Sequence, residues 1–327
     1  MEKRILDYGE AINEAHRIAL RKYPNCFVIG QGVSNPWFVG KTTTGLVDEF
    51  GTERVMDSPV SEAAMTGACL GAAMAGMRPI VFHPRMDFMY LILDQLINHG
   101  ASWHYMFNGK VCVPVVIRGI VNRGGEQGAQ HSQSPFAIYA NIPGLKVVCP
   151  ATPEDAKGLL LAAVNDPNPV IFIDDRWLYD EKGVVPEGYY ETPIGKANVL
   201  RRGTDLTIVV ASFMVKEAIK AANELEKEGI SCEVVDVRTL KPIDYETICE
   251  SAKKTGRVIV AIEEWKTASV SATIANEIYN RCFNELKKPV ELITLPDVPA
   301  PASCSLEDVY YKKSEDIVKA AINLLEE

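Results

Sequence analysis

The sequence predicts an α/β fold of two doubly wound domains, and three observations predict it. Apolar residues at helical spacing alternate with short β-branched runs, the alternation breaks over residues 180–205, and it then restarts and continues toward the C-terminus. Helices interleaved with short buried strands imply a mostly parallel sheet covered on both faces. A chain of 327 residues is about two domains long, enough for each to bury its own core.

Each element follows from its pattern. Tyr8, Ile12, Ala15 and Ala19 share one helical face over residues 6–23, and residues 26–29 form an apolar run closed by Gly30. Small residues over 63–75 predict a helix, 79–82 a strand, 88–102 a helix and 113–117 a strand. After a strand at 145–148, Thr152 is placed to cap a helix with Pro153 in its first turn, and 156–164 form its body. A strand at 170–173 closes the block. Residues 180–205, rich in Gly, Pro, Tyr and charge, read as a connection. Beyond it come strands at 206–211, 232–237, 258–262 and 290–295 and helices at 215–228, 245–254, 271–284 and 314–325. The expected division is therefore 1–185, a linker at 186–204, and 205–327.

Composition excludes several functions. A net charge of −9 without a basic cluster argues against a nucleic-acid partner. Eight cysteines without a C-x-x-C pair, several in apolar runs such as Val111-Cys112-Val113, suit buried thiols in a reducing cytoplasm better than zinc or disulfides. Residues 1–4 lead into a charged amphipathic stretch, and no apolar run reaches the ~18 residues of a membrane span. A soluble cytoplasmic protein is expected.

In open parallel sheets ligands bind beyond the carboxyl ends of the strands, so the loops there carry the search for a site. Three stand out: 57–62, 82–88 and 118–134. Glu62 precedes the small-residue helix, where a carboxylate can also serve simply as a helix-end charge. His131 lies in Gly124-Gly125-Glu126-Gln127-Gly128-Ala129-Gln130-His131-Ser132-Gln133-Ser134, a glycine-rich polar loop that is costly to order without a ligand. Lone histidines also have many non-catalytic settings.

The segments Asp57-Ser58-Pro59-Val60-Ser61-Glu62, Asp94-Gln95, Gly128-Ala129-Gln130-His131-Ser132-Gln133, Pro143-Gly144-Leu145-Lys146-Val147-Val148, Asp166-Pro167-Asn168-Pro169 and Val237-Arg238-Thr239-Leu240-Lys241-Pro242-Ile243-Asp244 occur in order along the chain. Together they resemble the beta chain of the thiamine diphosphate-dependent decarboxylase component of 2-oxoacid dehydrogenase complexes, a transketolase-like family that includes pyruvate, branched-chain and acetoin enzymes. The resemblance implies that 1–185 is a pyrimidine-binding thiamine diphosphate domain and 205–327 a transketolase-like C-terminal domain. It also implies an enzyme, an oxidoreductase that decarboxylates a 2-oxoacid and passes the acyl unit to a lipoyl acyltransferase. Activity then requires an alpha subunit, in an α2β2 heterotetramer that contains a beta homodimer. The alpha chain holds the diphosphate and magnesium. The sequence agrees, because the Gly-Asp-Gly diphosphate motif is absent here, as is Gly-x-Gly-x-x-Gly.

By the same resemblance, Glu62 hydrogen-bonds a pyrimidine ring nitrogen, His131 serves proton transfer or hydrogen bonding at the substrate, and Phe88 packs on the pyrimidine. On pattern alone Phe88 reads equally well as a core aromatic. A structural potassium ion is implied at Val115, Ala163, Val164, Asp166 and Asn168. The last two also read as an ordinary turn. Two stretches depart from the family pattern and bear on the substrate side: Glu263-Glu264-Trp265-Lys266-Thr267-Ala268-Ser269-Val270 lacks paired glycines, and His83-Pro84-Arg85-Met86 replaces an aromatic-rich loop. Two other readings remain, a split transketolase-like enzyme acting on carbon–carbon bonds and a non-catalytic assembly subunit.

Overall fold

The computed structural model describes residues 4–34 and 40–326, so the start of the expected amphipathic stretch, residues 1–3, lies outside it. The chain forms two compact units, 1–122 with 138–194, and 123–137 with 195–327. Among the described residues no helix is long and apolar enough to cross a membrane.

In the first unit six parallel strands run in the order Lys146–Val148, Val170–Asp175, Val116–Val121, Arg78–His83, Cys26–Gly30, Val55–Asp57. The interior strands are buried along nearly their whole length, which is why they read as unbroken apolar runs rather than alternating ones. Helix Tyr8–Lys22 begins on a reciprocal cap: Asp7 accepts from Glu10 N, and Glu10 accepts from Asp7 N. A short antiparallel ribbon pairs Ile5–Asp7 with Lys182–Val184. Thr152 caps helix Pro153–Asn165 as expected, accepting from Asp155 N.

Two expectations fail locally. The strand foreseen from residue 113 begins at Val116, because Pro114 has no N–H for the ladder. The helix foreseen over 88–102 is instead a tight turn at Met86–Ile92, a wide turn at Gln95–Ala101 and a short helix at Trp103–Met106. Ser102 Oγ donates to the Ile97 carbonyl at 2.7 Å, a five-residue reach that fits the wide turn.

The first unit buries one ion pair completely. Arg118 Nε donates to Asp174 Oδ2 at 2.5 Å, and its other nitrogens reach Thr42 Oγ1 and Tyr179 OH. Burial raises the Asp174 carboxyl from its ordinary range, and the adjacent guanidinium opposes that rise.

The second unit is a five-stranded sheet ordered Glu291–Leu295, Val258–Trp265, Leu206–Val210, Cys232–Asp236, Asn198–Arg201. Its first four strands are parallel and the last is an antiparallel edge. Helices Met214–Lys227, Tyr245–Thr255, Val270–Cys282 and Ser314–Glu326 alternate with them.

Candidate functional site

Glu62 is the first residue of helix Glu62–Met74, which leaves strand Val55–Asp57 through a four-residue loop. Its side chain is 5% exposed. The preceding Ser61 makes no side-chain cap, so the first turn is left to the carboxylate and the chain around it. Gln31 follows the neighbouring parallel strand Cys26–Gly30 and donates from Nε2 to Glu62 Oε1 at 2.8 Å. An amide carries no titrating proton, so it fixes the carboxyl's direction without neutralising it.

The same helix is tied to the end of strand Arg78–His83. Thr66, one turn beyond Glu62, pairs its hydroxyl with His83 Nε2 at 3.2 Å, and His83 is fully buried. Burial pushes the His83 imidazole down to about 4, so it is neutral at physiological pH. Phe88 lies in the tight turn that follows, half-buried, with its N–H donated to the Arg85 carbonyl at 3.2 Å. A cavity of about 510 Å³ opens beside the Glu62 helix against Ile29, Asp57, Ser58, Ser61 and Met65, and Glu62 is not part of its lining.

Val115, Ala163, Val164, Asp166 and Asn168 also fall in the first unit, around the C-terminal end of helix Pro153–Asn165. Helix ends leave carbonyls without helical partners and carry partial negative charge, which suits a cation. Arg78 Nη1 already donates to the Val164 carbonyl at 2.6 Å, and Val170 N donates to that of Val115 at 3.0 Å. Asp166 pairs through Oδ2 with the Lys146 ammonium and accepts from Asn168 N through Oδ1 at 2.9 Å. The buried Oδ1 of Asn168 has no hydrogen-bond partner among the described residues.

His131 belongs to the second unit, apart from Glu62 and Phe88. It is partly exposed, and its N–H donates to the Gly128 carbonyl at 3.2 Å. The surrounding loop takes left-handed backbone at Gly124, Gly125, Glu126 and Gly128. Three glycines make this cheap, whereas Glu126 adopts it at a cost of roughly 1–2 kcal/mol. Arg123 anchors the start of the loop. Its Nε lies 2.7 and 2.5 Å from the two oxygens of buried Glu263, and its guanidinium sits 3.9 Å from the Phe213 ring centroid and 4.9 Å from that of Tyr311.

Glu263-Glu264-Trp265, one of the two departures in the sequence, is thus built into the unit's interior. Glu264 accepts from Val270 N, Ser271 N and Ser271 Oγ at the start of helix Val270–Cys282, and burial pushes its carboxyl up to about 7. Trp265 donates to the Val298 carbonyl and to Tyr310 OH. Gln31, Arg123 and Glu307 (whose contacts are given below) carry no local motif. Only their placement next to strand ends or within a late helix marks them.

Residues 5–182 match the transketolase pyrimidine-binding domain, and residues 195–317 match the transketolase C-terminal domain. The chain belongs to the transketolase-like family. This family's use of thiamine diphosphate agrees with the expectation from the sequence motifs. The transketolase-like chain is 41% identical to the beta subunit of acetoin:2,6-dichlorophenolindophenol oxidoreductase of Bacillus subtilis, with 99% of this chain and 98% of that protein covered. It is 42% identical to the beta subunit of the pyruvate dehydrogenase E1 component of Rickettsia bellii, covering 95% and 96%, and 41% identical to the beta subunit of 2-oxoisovalerate dehydrogenase of Bacillus subtilis, covering 99% of each. Among solved structures it resembles a split-gene transketolase described as an inactive beta4 tetramer, with TM-score 0.77, 25% identity, and 98% and 97% of the two chains covered.

Proposed function

We propose that this chain is the beta subunit of a thiamine diphosphate-dependent 2-oxoacid dehydrogenase, active only with an alpha subunit and assembled as α2β2 around a beta homodimer. The observation that carries the reading is the Glu62 carboxyl, 5% exposed at a helix start and aimed by Gln31 from the carboxyl end of the adjacent strand. That arrangement fits one half of the cofactor. A buried, directed carboxyl can hydrogen-bond a pyrimidine nitrogen, and Phe88, on the turn that follows His83, offers an aromatic face. The other half finds no ligands here. The Gly-Asp-Gly motif is missing from the sequence, which supports assigning the diphosphate and magnesium to the alpha chain.

Thiamine diphosphate, when bound, supplies the electron sink that decarboxylation of a 2-oxoacid requires. Glu62 holds a proton at the pyrimidine nitrogen. His131 holds or moves a proton at the substrate oxygen, and the neutral amide of Gln31 keeps Glu62 oriented throughout. The domain limits 1–185 and 205–327, the cytoplasmic setting and the transfer of the acyl unit to a lipoyl acyltransferase belong to the same reading. So does a structural potassium ion on Val115, Ala163, Val164, Asp166 and Asn168, where helix-end carbonyls and the Asn168 amide oxygen supply neutral donors. All eight cysteines are free and six are buried, which supports a reducing compartment, but Cys112, expected to be buried in its apolar run, is exposed.

A second reading, an enzyme that makes or breaks carbon–carbon bonds without a lipoyl partner, has only the fold match to a split-gene transketolase behind it. The 41–42% identity to dehydrogenase beta subunits ranks the first reading above it. Reconstitution with the alpha chain decides between them. The dehydrogenase reading predicts 2-oxoacid-dependent reduction of dichlorophenolindophenol, and two-carbon transfer from a sugar phosphate without dye reduction would replace it with the second. Calorimetry on the beta chain alone tests the divided site, since micromolar binding of thiamine diphosphate with magnesium would contradict it.

A further inference from the structure

The segment that carries His131 is clasped to the late helix Cys304–Tyr310 by two glutamates in reciprocal roles. Glu307, 7% exposed, accepts from Gly125 N at 3.0 Å with one carboxylate oxygen and from Glu126 N at 2.9 Å with the other. Glu126 in turn accepts from Cys304 N at 3.3 Å, at the start of the helix that carries Glu307. Consecutive N–H groups around a left-handed residue converge on one point, and a carboxylate is the side chain whose two acceptors can meet both. One turn further on, Gly128 passes so close to Ala302 that an added Cβ there would lie 3.3 Å from the Ala302 Cβ, and the Gly128 carbonyl receives the N–H of His131.

We propose that Glu307 is a positioning residue of the reaction. It acts through the backbone of Gly125 and Glu126 to fix where the His131 imidazole is presented. The inference rests on the role given to His131 above. A neutral amide at position 307 keeps one acceptor but sets an NH2 against the second backbone N–H, so the loop loses one bond and gains a donor–donor conflict. Displacement of a proton-transfer group by about 1 Å is enough to cost up to about 100-fold in rate.

The test uses the complex reconstituted with its alpha chain. Glu307→Gln lowers kcat by about 10- to 100-fold with KM within twofold of the parent, and leaves proton exchange at the thiazolium carbon unchanged, because that step belongs to Glu62. Hydrogen exchange followed by mass spectrometry shows the peptide over 123–137 losing protection while the sheet peptides keep theirs. Glu307→Asp, which keeps both acceptor oxygens, recovers part of kcat. Glu126→Ala, an exposed substitution that removes the acceptor for Cys304 N at the other half of the clasp, shifts kcat in the same direction and supplies the test if Glu307→Gln does not fold. If His131→Ala is slow and both clasp variants turn over at the parent rate, the clasp is overturned alone. If His131→Ala turns over normally, the role of His131 fails and the clasp's role in the reaction fails with it.

Discussion

Glu62 and His131 are held in place by different means. Glu62 is the opening residue of a 13-residue helix, follows a parallel strand, and is steadied by a glutamine from the strand beside it. Regular backbone places it, and the hydrogen bonds that make the helix would survive most single changes nearby. His131 stands in a stretch with neither helix nor strand between the end of Val116–Val121 and the start of Phe136–Asn141. Side chains place it, through Arg123 on Glu263 and Glu307 on two backbone amides. A group set by secondary structure is robust and hard to adjust, whereas a group set by a few ion pairs and amide contacts can be retuned by single substitutions.

The largest effect expected from breaking this comparison is chemical. Glu62→Gln keeps the shape of the helix start and removes the titrating carboxyl, so proton exchange at the thiazolium carbon in the reconstituted complex slows by about 10² to 10⁴, as is typical for loss of a positioned acid or base. His131→Ala leaves that exchange intact and slows turnover. Quenched NMR reads the exchange directly, and a Glu62→Gln enzyme that exchanges at the parent rate removes Glu62 from the role assigned to it.

A smaller effect separates the two units through their buried arginines. Arg118→Met strands the Asp174 carboxylate and Arg123→Met strands that of Glu263. Breaking a buried pair from one side costs about 3–5 kcal/mol, so both variants lower the denaturant midpoint. Only Arg123→Met also exposes the peptide over 123–137 to hydrogen exchange under native conditions. Equal loosening of that peptide by Arg118→Met would show that the loop is not held locally.

The smallest effect concerns pH and the tie between the Glu62 helix and the strand end before Phe88. His83 folds with its pKa lowered from 6.5 to about 4 by burial, so the unfolded chain binds the extra proton between those values. Its contribution to stability is complete above about pH 6.5 and is lost as pH falls toward 4, by up to about 1.4 kcal/mol per pH unit. His16, lowered to about 3, acts in the same direction, while Glu264, raised to about 7, favours the folded state on the acid side and loses that contribution as pH rises through 7. Thermal midpoints from pH 7 to 5 isolate one group: His83→Gln flattens the acid-side fall relative to the parent, and parallel curves would count against His83 being neutral and buried.

Much of the alternation was legible because a fully buried parallel strand and an amphipathic helix leave simple patterns, as residues 206–210 and 214–227 do. Pro114, which carries no N–H, also marks in the sequence where the strand cannot yet have begun. The broken helix over 86–106 was not legible, since the Ser102 contact that accompanies its wide turn involves a residue of ordinary composition. Motif resemblance singled out Glu62 and His131 but not the residues that support them. Gln31, Arg123 and Glu307 pair with partners 31, 140 and about 180 positions away, and a single sequence carries no signal for such pairs. Within the departing stretch 263–270, the side chains of Glu263, Glu264 and Trp265 hold Arg123, a helix start and the Val298 carbonyl, contacts that the absence of paired glycines does not announce.

Glu126 and the carboxylate that receives its N–H are separated by 181 residues. Chain synthesis at roughly 5–20 residues per second puts about 10–40 s between the emergence of the two. Throughout that interval the nascent His131 segment lacks the carboxylate that receives its Gly125 and Glu126 amides, while the strands of the first unit on either side of it are already being made. A run of glycines, glutamines and a glutamate suits such a wait, because it stays hydrated and offers little apolar surface to a wrong neighbour. The same composition that lets Glu307 shape the loop at the end of synthesis therefore keeps the segment harmless before Glu307 exists.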